Sequence, residues 1–212
     1  MSAPLGYRLV PLDCPSCGAA LAAEGQDVVY YCTACRNGYL FDAEGGRLER
    51  VEVGFVAQPG AVAERHLPFW LLPARISIHE RQSQSGNVTG LLASLFGRTE
   101  RRDGVAADGT FAVPAFHLPL PETIELVLRY SRELPRLGER LGERLTGGCY
   151  GTADARKLAH FALIAAEARQ PDTLTQLRYE IDFGPGRLLG VPFARRGEAW
   201  ADSIFGLPAT LG

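Results

Sequence analysis

Four of the five cysteines come in two pairs. Cys14 and Cys17 stand in "DCPSCGAAL" and Cys32 and Cys35 in "YYCTACRNGYLFD", with two residues inside each pair and fourteen between the pairs. Thiolates at this spacing suit a metal ion. Zinc takes four soft or borderline ligands in a tetrahedron. A Cys-x-x-Cys turn puts two sulfurs on one side of the ion and leaves backbone N–H groups free to bond them. Pro15 fixes φ after the first cysteine, and Gly18 suits a left-handed conformation just past the second. Asn37 and Gly38 stand ready for the same purpose after Cys35. A redox Cys-x-x-Cys would open a helix after a strand and would need no second pair.

Between and after the pairs, "DVVYYC" and "GYLFD" read as short strands. The two knuckles with these strands resemble a zinc ribbon, over roughly residues 8–45. That resemblance implies Cys14, Cys17, Cys32 and Cys35 as the ligands of one structural Zn²⁺. Rubredoxins resemble it too and hold iron, but their second knuckle normally also reads CPxCG and their pairs lie further apart. "CTACRN" departs from that pattern and favours zinc.

A shell of four thiolates leaves no open position for water or substrate, as a catalytic zinc requires. The histidines offer no second metal motif. "HERQS" at His79 starts like HExxH, but Ser83 stands where the second histidine belongs. His66 and His117 read as strand-flanking, His79 as the end of a polar strand, and His160 as packed in a helix. No Walker A loop or GxSxG elbow is present, and "GPGRLLG" at 184–190 has the wrong spacing for a dinucleotide loop. Cys149, in "TGGCYGT", would need a histidine and an orienting group beside it to act as a nucleophile. An enzyme would require a pocket that sets His117 or Cys149 next to a carboxylate.

Charge argues against a polyanionic partner. The chain carries a net charge of −2, and residues 1–45 hold Arg8 and Arg36 against Asp13, Glu24, Asp27, Asp42 and Glu44. Zinc on four thiolates makes this segment more negative still, so phosphate is repelled rather than attracted. "GRTERRDG" at 97–104 is mixed in sign. The opening residues lack a basic start followed by a long apolar run. The apolar stretches at 67–74 and 158–166 fall short of the ~20 residues of a membrane helix. The expectation is a cytoplasmic protein with no membrane span. The cysteine pattern agrees, since it is not that of a secreted disulfide framework.

The elements that must position the cysteines follow. The sequence predicts an α+β protein: a zinc ribbon over 1–45, a connecting strand and linker over 46–65, and an α+β domain over 66–212 with a mainly antiparallel sheet and two to three helices. A strand is expected near 47–57, a long one over "RHLPFWLLPARISIHERQS" at 65–83 with alternating character from Ala74 to Arg81, a short helix around 90–96, and a returning strand at "FAVPAFHLPLP". Pro121 and Glu122 suit a helix start. Leu134, Leu137, Leu141 and Leu145 recur at helical spacing after Pro135. Thr152 can cap the helix "ADARKLAHFALIAAEARQ", which is apolar nearly all round and so reads as the most buried helix. The tail reads as strands around a Gly-Pro-Gly turn at 184–186.

"LPFW" at 67–70, "VPAF" at 113–116 and "VPF" at 191–193 each set a proline beside an aromatic in an apolar strand. Core packing at strand starts explains this. A partner groove lined by Phe69, Trp70, Phe116 and Phe193 is the functional alternative. The order of ribbon, PFW, VPAF and a late PF strand is similar to uncharacterised bacterial and archaeal zinc-ribbon proteins, a resemblance that implies no activity. The reading is a non-enzymatic zinc-binding protein that contacts another protein as an adaptor. Its rivals are nucleic-acid binding and an enzyme site in the α+β domain. The oligomeric state is left open.

Overall fold

The computed structural model describes residues 10–57, 63–83, 91–92, 95–96, 106–138, 144–169 and 174–211. Among the described residues, two antiparallel-rich sheets and two long helices give an α+β architecture.

The first sheet holds β1 (Val29–Tyr31), β2 (Gly38–Asp42) and β3 (Arg47–Val51), all antiparallel. Alternation sorts its side chains between two cores. Tyr30, Tyr39 and Phe41 gather with Leu21, Cys14 and Cys32 on one face. Val29, Tyr31 and Leu40 face the other way, into the main core. The strand anticipated near 47–57 is in fact two strands. Arg47–Val51 completes the ribbon sheet, whereas β4 (Val53–Val56) joins the large one.

The 19-residue strand β5 (Arg65–Ser83) is the spine of the large sheet. It pairs on one side with β6 (Ala106–Pro114). On the other side it pairs with β9 (Arg187–Arg196) along its first half and β8 (Leu174–Phe183) along its second. The register runs through, Leu71 with Arg187 and Ala74 with Phe183. Gly184-Pro185-Gly186 is therefore not the turn its composition suggests but a kink in one long antiparallel run. Pro73 and Pro185 both lack the N–H a ladder needs, so the pairing is interrupted there, and Gly184 N–H donates to Pro73 O at 2.8 Å.

Along its other side β9 carries β4 in parallel and β10 (Ala199–Asp202) antiparallel. β7 (Leu137–Gly138) and β11 (Pro208–Ala209) flank these. The leucine stripe is thus not a helix in the described residues. Leu137 is a strand residue paired opposite Val56, and Leu145 bridges to His66, while Leu141 lies outside the described residues. Pro135 prevents the preceding helix from continuing, and Gly138 lets β7 approach Ala57 closely.

Helix α1 (Leu120–Arg132) has Pro121 in its first turn, as anticipated, and lies against β6. Its Ser131 Oγ accepts the N–H of Ala112 at 3.0 Å, capping a backbone donor on the outer edge of that strand. Helix α2 (Thr152–Ala168) starts after Gly151, which caps it in place of Thr152. α2 is not the most buried helix. Ala155, Ala159, Ala162, Leu163 and Ala166 pack inward, but Phe161 and Ile164 are half-exposed. Its all-round apolar character comes from an alanine face that packs close and an opposite face that is left half-exposed. Leu91, Leu92, Leu95 and Phe96 are helical and buried, as the short expected helix requires.

Candidate metal centre

The two Cys-x-x-Cys knuckles meet at one end of the ribbon. All four Sγ atoms lie within 4.8 Å of one another. Cys14 and Cys35 Sγ are 3.5 Å apart, and Cys17 and Cys32 Sγ 3.6 Å apart. A tetrahedral ion with metal–sulfur bonds of about 2.3 Å sets its sulfurs about 3.8 Å apart. A disulfide would bring two of them to about 2.05 Å, and all five cysteines are free. The donor set and its spacing therefore fit one metal ion.

Local backbone geometry explains why the sulfurs converge. In the first knuckle the N–H groups of Cys17 and Gly18 both bond Cys14 O, at 3.3 and 2.8 Å. Gly18 has φ 73°, as its position after the second cysteine suggests. In the second knuckle Arg36 N–H bonds Cys32 O at 2.7 Å and Cys32 N–H bonds Asn37 O at 2.9 Å. Here the left-handed residue is Arg36, at φ 61°, rather than Asn37 or Gly38. Asn37 instead donates its side-chain amide to Cys35 Sγ at 3.3 Å. Gly38 sits in β2, where a Cβ would lie 2.3 Å from Val53 Cγ2.

Cys14 and Cys32 are buried, Cys35 is half-buried and Cys17 faces solvent. The knuckle tips at Pro15, Ser16, Thr33 and Ala34 are exposed and uncharged. Tyr39 belongs to the site although its sequence position gives no hint of it. Its hydroxyl lies 3.1 Å from Cys14 Sγ and 2.7 Å from Ser16 Oγ. Once Cys14 is a thiolate, the phenol proton bonds the sulfur. Burial opposes charge on Cys14, but bonds from Tyr39, the Ser16 backbone and Cys35 outweigh it and bring the thiol down to about 6. At Cys17 a bond from the Ala19 backbone favours the thiolate, yet Cys14, desolvation and the other two sulfurs push it up to about 12. Burial, and then Cys14, pushes Tyr39 up to about 12, so its proton stays in place.

The segment Thr146–Tyr150 bonds the ribbon to the rest of the chain. Val28 and Val29 N–H both bond Gly148 O, at 2.7 and 2.9 Å, and Gly148 N–H returns to Val29 O at 3.1 Å. Thr146 N–H bonds His66 O and Tyr150 N–H bonds Ala115 O, so the segment also ties into the large sheet. Tyr31 of the ribbon meets Phe55 of the large sheet edge to face at 5.9 Å. The four-cysteine cluster is thus fixed relative to the main core.

A cleft of about 530 Å³ opens beside this anchor, lined by Asp27, Glu64, Arg65, His117, Arg144 and Cys149 among others. His117 and Cys149, which an enzyme reading would need beside a carboxylate, line this one cleft together with Asp27 and Glu64. The chemistry of Cys149 runs the other way. Burial, together with the charges of Asp27 and Asp154, raises its thiol despite a bond from the His117 backbone. Nucleophilic cysteines are activated by lowering, not raising, their pKa. His117 Nδ1 lies 3.0 Å from Tyr150 Oη.

The aromatic residues of the anticipated groove are interior. Phe69, Trp70 and Phe193 are fully buried and Phe116 nearly so. Phe69, Phe116 and Phe193 touch one another, with centroids 5.7–6.3 Å apart, and Tyr130 joins them. Trp70 points to the opposite face of β5, where its indole N–H donates to Tyr150 O at 2.7 Å. Alternation along a strand buried on both faces separates Trp70 from Phe69. These four residues form core rather than an open groove. His66 lies within β5, paired opposite Pro192, rather than flanking a strand, and His117 follows β6; His79 lies near the end of β5 beside Glu180, and His160 packs in α2 on Tyr179.

No family model matches the chain, and no curated protein or solved structure is significantly similar to it. Among the described residues, no helix is long and apolar enough to cross a membrane.

Proposed function

We propose that the chain is a non-enzymatic zinc-ribbon protein. A structural Zn²⁺ on Cys14, Cys17, Cys32 and Cys35 holds the ribbon rigid, and the protein presents that ribbon to another protein as an adaptor. The observation that carries this reading is the four-sulfur cluster within 4.8 Å, set in a ribbon that the Gly148 bonds tie to the main core. A small three-stranded sheet has too little core to hold two knuckles together; a bound ion supplies that stability. The exposed knuckle tips are small and neutral, which suits contact with protein better than with phosphate. The excess of acidic residues in the first 45 positions supports the same choice.

A photo-crosslinking residue at Ser16 or Thr33 tests the reading in cells that express the chain. Crosslinks to one defined protein, lost when the zinc is stripped and absent from the same probe at Glu198, are the expected outcome. Equal crosslinking from Glu198, or crosslinks to nucleic acid alone, would refute it.

The cleft beside Cys149 and His117 favours a second reading, a small-molecule site in the α+β domain. Its raised thiol argues for binding rather than covalent chemistry. Thermal-shift screening separates the two, since a ligand for this cleft would stabilise the native chain but not a His117→Ala variant.

A further inference from the structure

The two edges of the long β5 array are treated differently. On the β6 side, α1 covers the edge and Ser131 takes the outward N–H of Ala112. On the other side, β8 pairs with β5 alone among the described residues. An uncovered strand edge is a template for another strand, and β8 carries no proline. We infer that β8 pairs with β8 of a second copy of this chain, joining the two large sheets across a two-fold axis at Tyr179.

The backbone parity allows this. Pro73 O accepts from Gly184 N–H, so alternate β5 residues from Pro73 onward turn their polar groups toward β8. The register sets Arg75 against Asp182 and Ser77 against Glu180. Asp182 and Glu180 therefore bond inward to β5, whereas Ile181 and Tyr179, and by alternation Leu177, turn their backbone groups outward. Pairing across a two-fold at Tyr179 uses these outward groups. It sets Leu177 opposite Ile181 of the second copy on the inner face.

The charges select that register. Arg178, Glu180 and Asp182 are exposed on the outer face. A two-fold at Tyr179 places Arg178 opposite Glu180 of the second copy, twice per dimer. Moving the axis one residue either way places Arg178 against Arg178 or Glu180 against Glu180. Opposite charges in cross-strand pairs stabilise and like charges destabilise, so of these three registers the one at Tyr179 alone sets no like charges opposite each other.

Helix α2 gives independent support. Its Arg156 guanidinium lies 5.7 Å from the Phe183 ring, and His160 Nδ1 is 3.2 Å from Tyr179 Oη, so this side of α2 runs over β8. Ile164 stands one turn beyond His160, and it and Phe161 are 50% and 53% exposed. A two-fold perpendicular to the joined sheet puts both α2 helices on one face beside the axis. Their apolar sides then cover each other.

This inference depends on neither the metal nor the adaptor reading. Sedimentation velocity on the full zinc-loaded chain tests it. The wild-type chain should be a dimer. Arg178→Glu and Glu180→Arg should each weaken it about tenfold or more, and the combined variant should recover wild-type affinity. Recovery by the double swap separates lost pairing from lost folding. Phe161→Ser should also weaken the dimer. A chain monomeric at all concentrations, or a dimer indifferent to the charge swaps, would overturn it.

Discussion

Gly148→Ala tests whether the ribbon is built into the fold or merely attached to it. Gly148 makes three backbone hydrogen bonds with Val28 and Val29 at 2.7–3.1 Å. A Cβ there would lie 2.7 Å from Ala115 O, 3.0 Å from Pro68 Cγ and 3.2 Å from Ala115 Cβ. Two of those atoms belong to a buried alanine whose carbonyl already bonds Tyr150 N–H, so the segment itself must shift. Overpacking of this kind costs about 1–3 kcal/mol, and each bond stretched by the shift adds about 1 kcal/mol. The expected loss is about 3 kcal/mol, which for a chain of this size lowers Tm by about 6–12 °C. Hydrogen exchange should localise the loss to the Val28 and Val29 amides. Gly54→Ala is the control, because its Cβ would meet only Leu137 Cδ2 at an ordinary 3.7 Å. An unchanged Tm with Val29 still protected would refute the claim that this segment anchors the ribbon.

Asp202 is fully buried and accepts from Tyr130 Oη at 2.7 Å and from the N–H groups of Ile204, Phe205 and Leu207 at 3.0, 2.7 and 2.6 Å. Asp202→Ala orphans these donors and should cost about 4 kcal/mol, while Asp202→Asn, which keeps one acceptor oxygen, should cost about 2 kcal/mol in a denaturant titration. Tyr39→Phe removes the hydroxyl that bonds Cys14 and should weaken zinc binding about tenfold in a chelator competition, with the strand pairing of β2 retained. Zinc affinity should fall on acidification, since each thiolate that takes a proton is lost as a ligand. The same chelator competition repeated at falling pH checks this, and an affinity that does not change with pH would contradict it.

The ribbon was legible because its determinants are local. Cys-x-x-Cys spacing, Gly18 after the second cysteine, and alternation in "VYY" and "GYLFD" all act within a few residues. The helix start at Pro121 and the long apolar strand at 65–83 were legible for the same reason. What was missed depends on distant neighbours. Leu137 reads as helical until β4 offers it a strand partner. Gly-Pro-Gly at 184–186 reads as a turn until Pro73, more than a hundred residues away, sits opposite it. The α2 helix reads as buried because hydropathy counts alanine with phenylalanine, although the alanines are buried and Phe161 is half-exposed. The convergence of the four cysteines could be named from spacing, but nothing local distinguishes Tyr39, whose hydroxyl reaches Cys14 across the ribbon. Nor does anything local mark Asp202, whose partner Tyr130 comes from a different element. Proline–aromatic pairing located Phe69, Phe116 and Phe193 together, and they pack in the core, as the core-packing reading of those motifs expects, rather than lining a groove.

Native mass spectrometry of the freshly reduced chain tests the metal directly. One zinc per chain, lost when Cys32 is changed to Ser, is the predicted result. Iron in its place, or no metal in freshly reduced protein, would contradict the account.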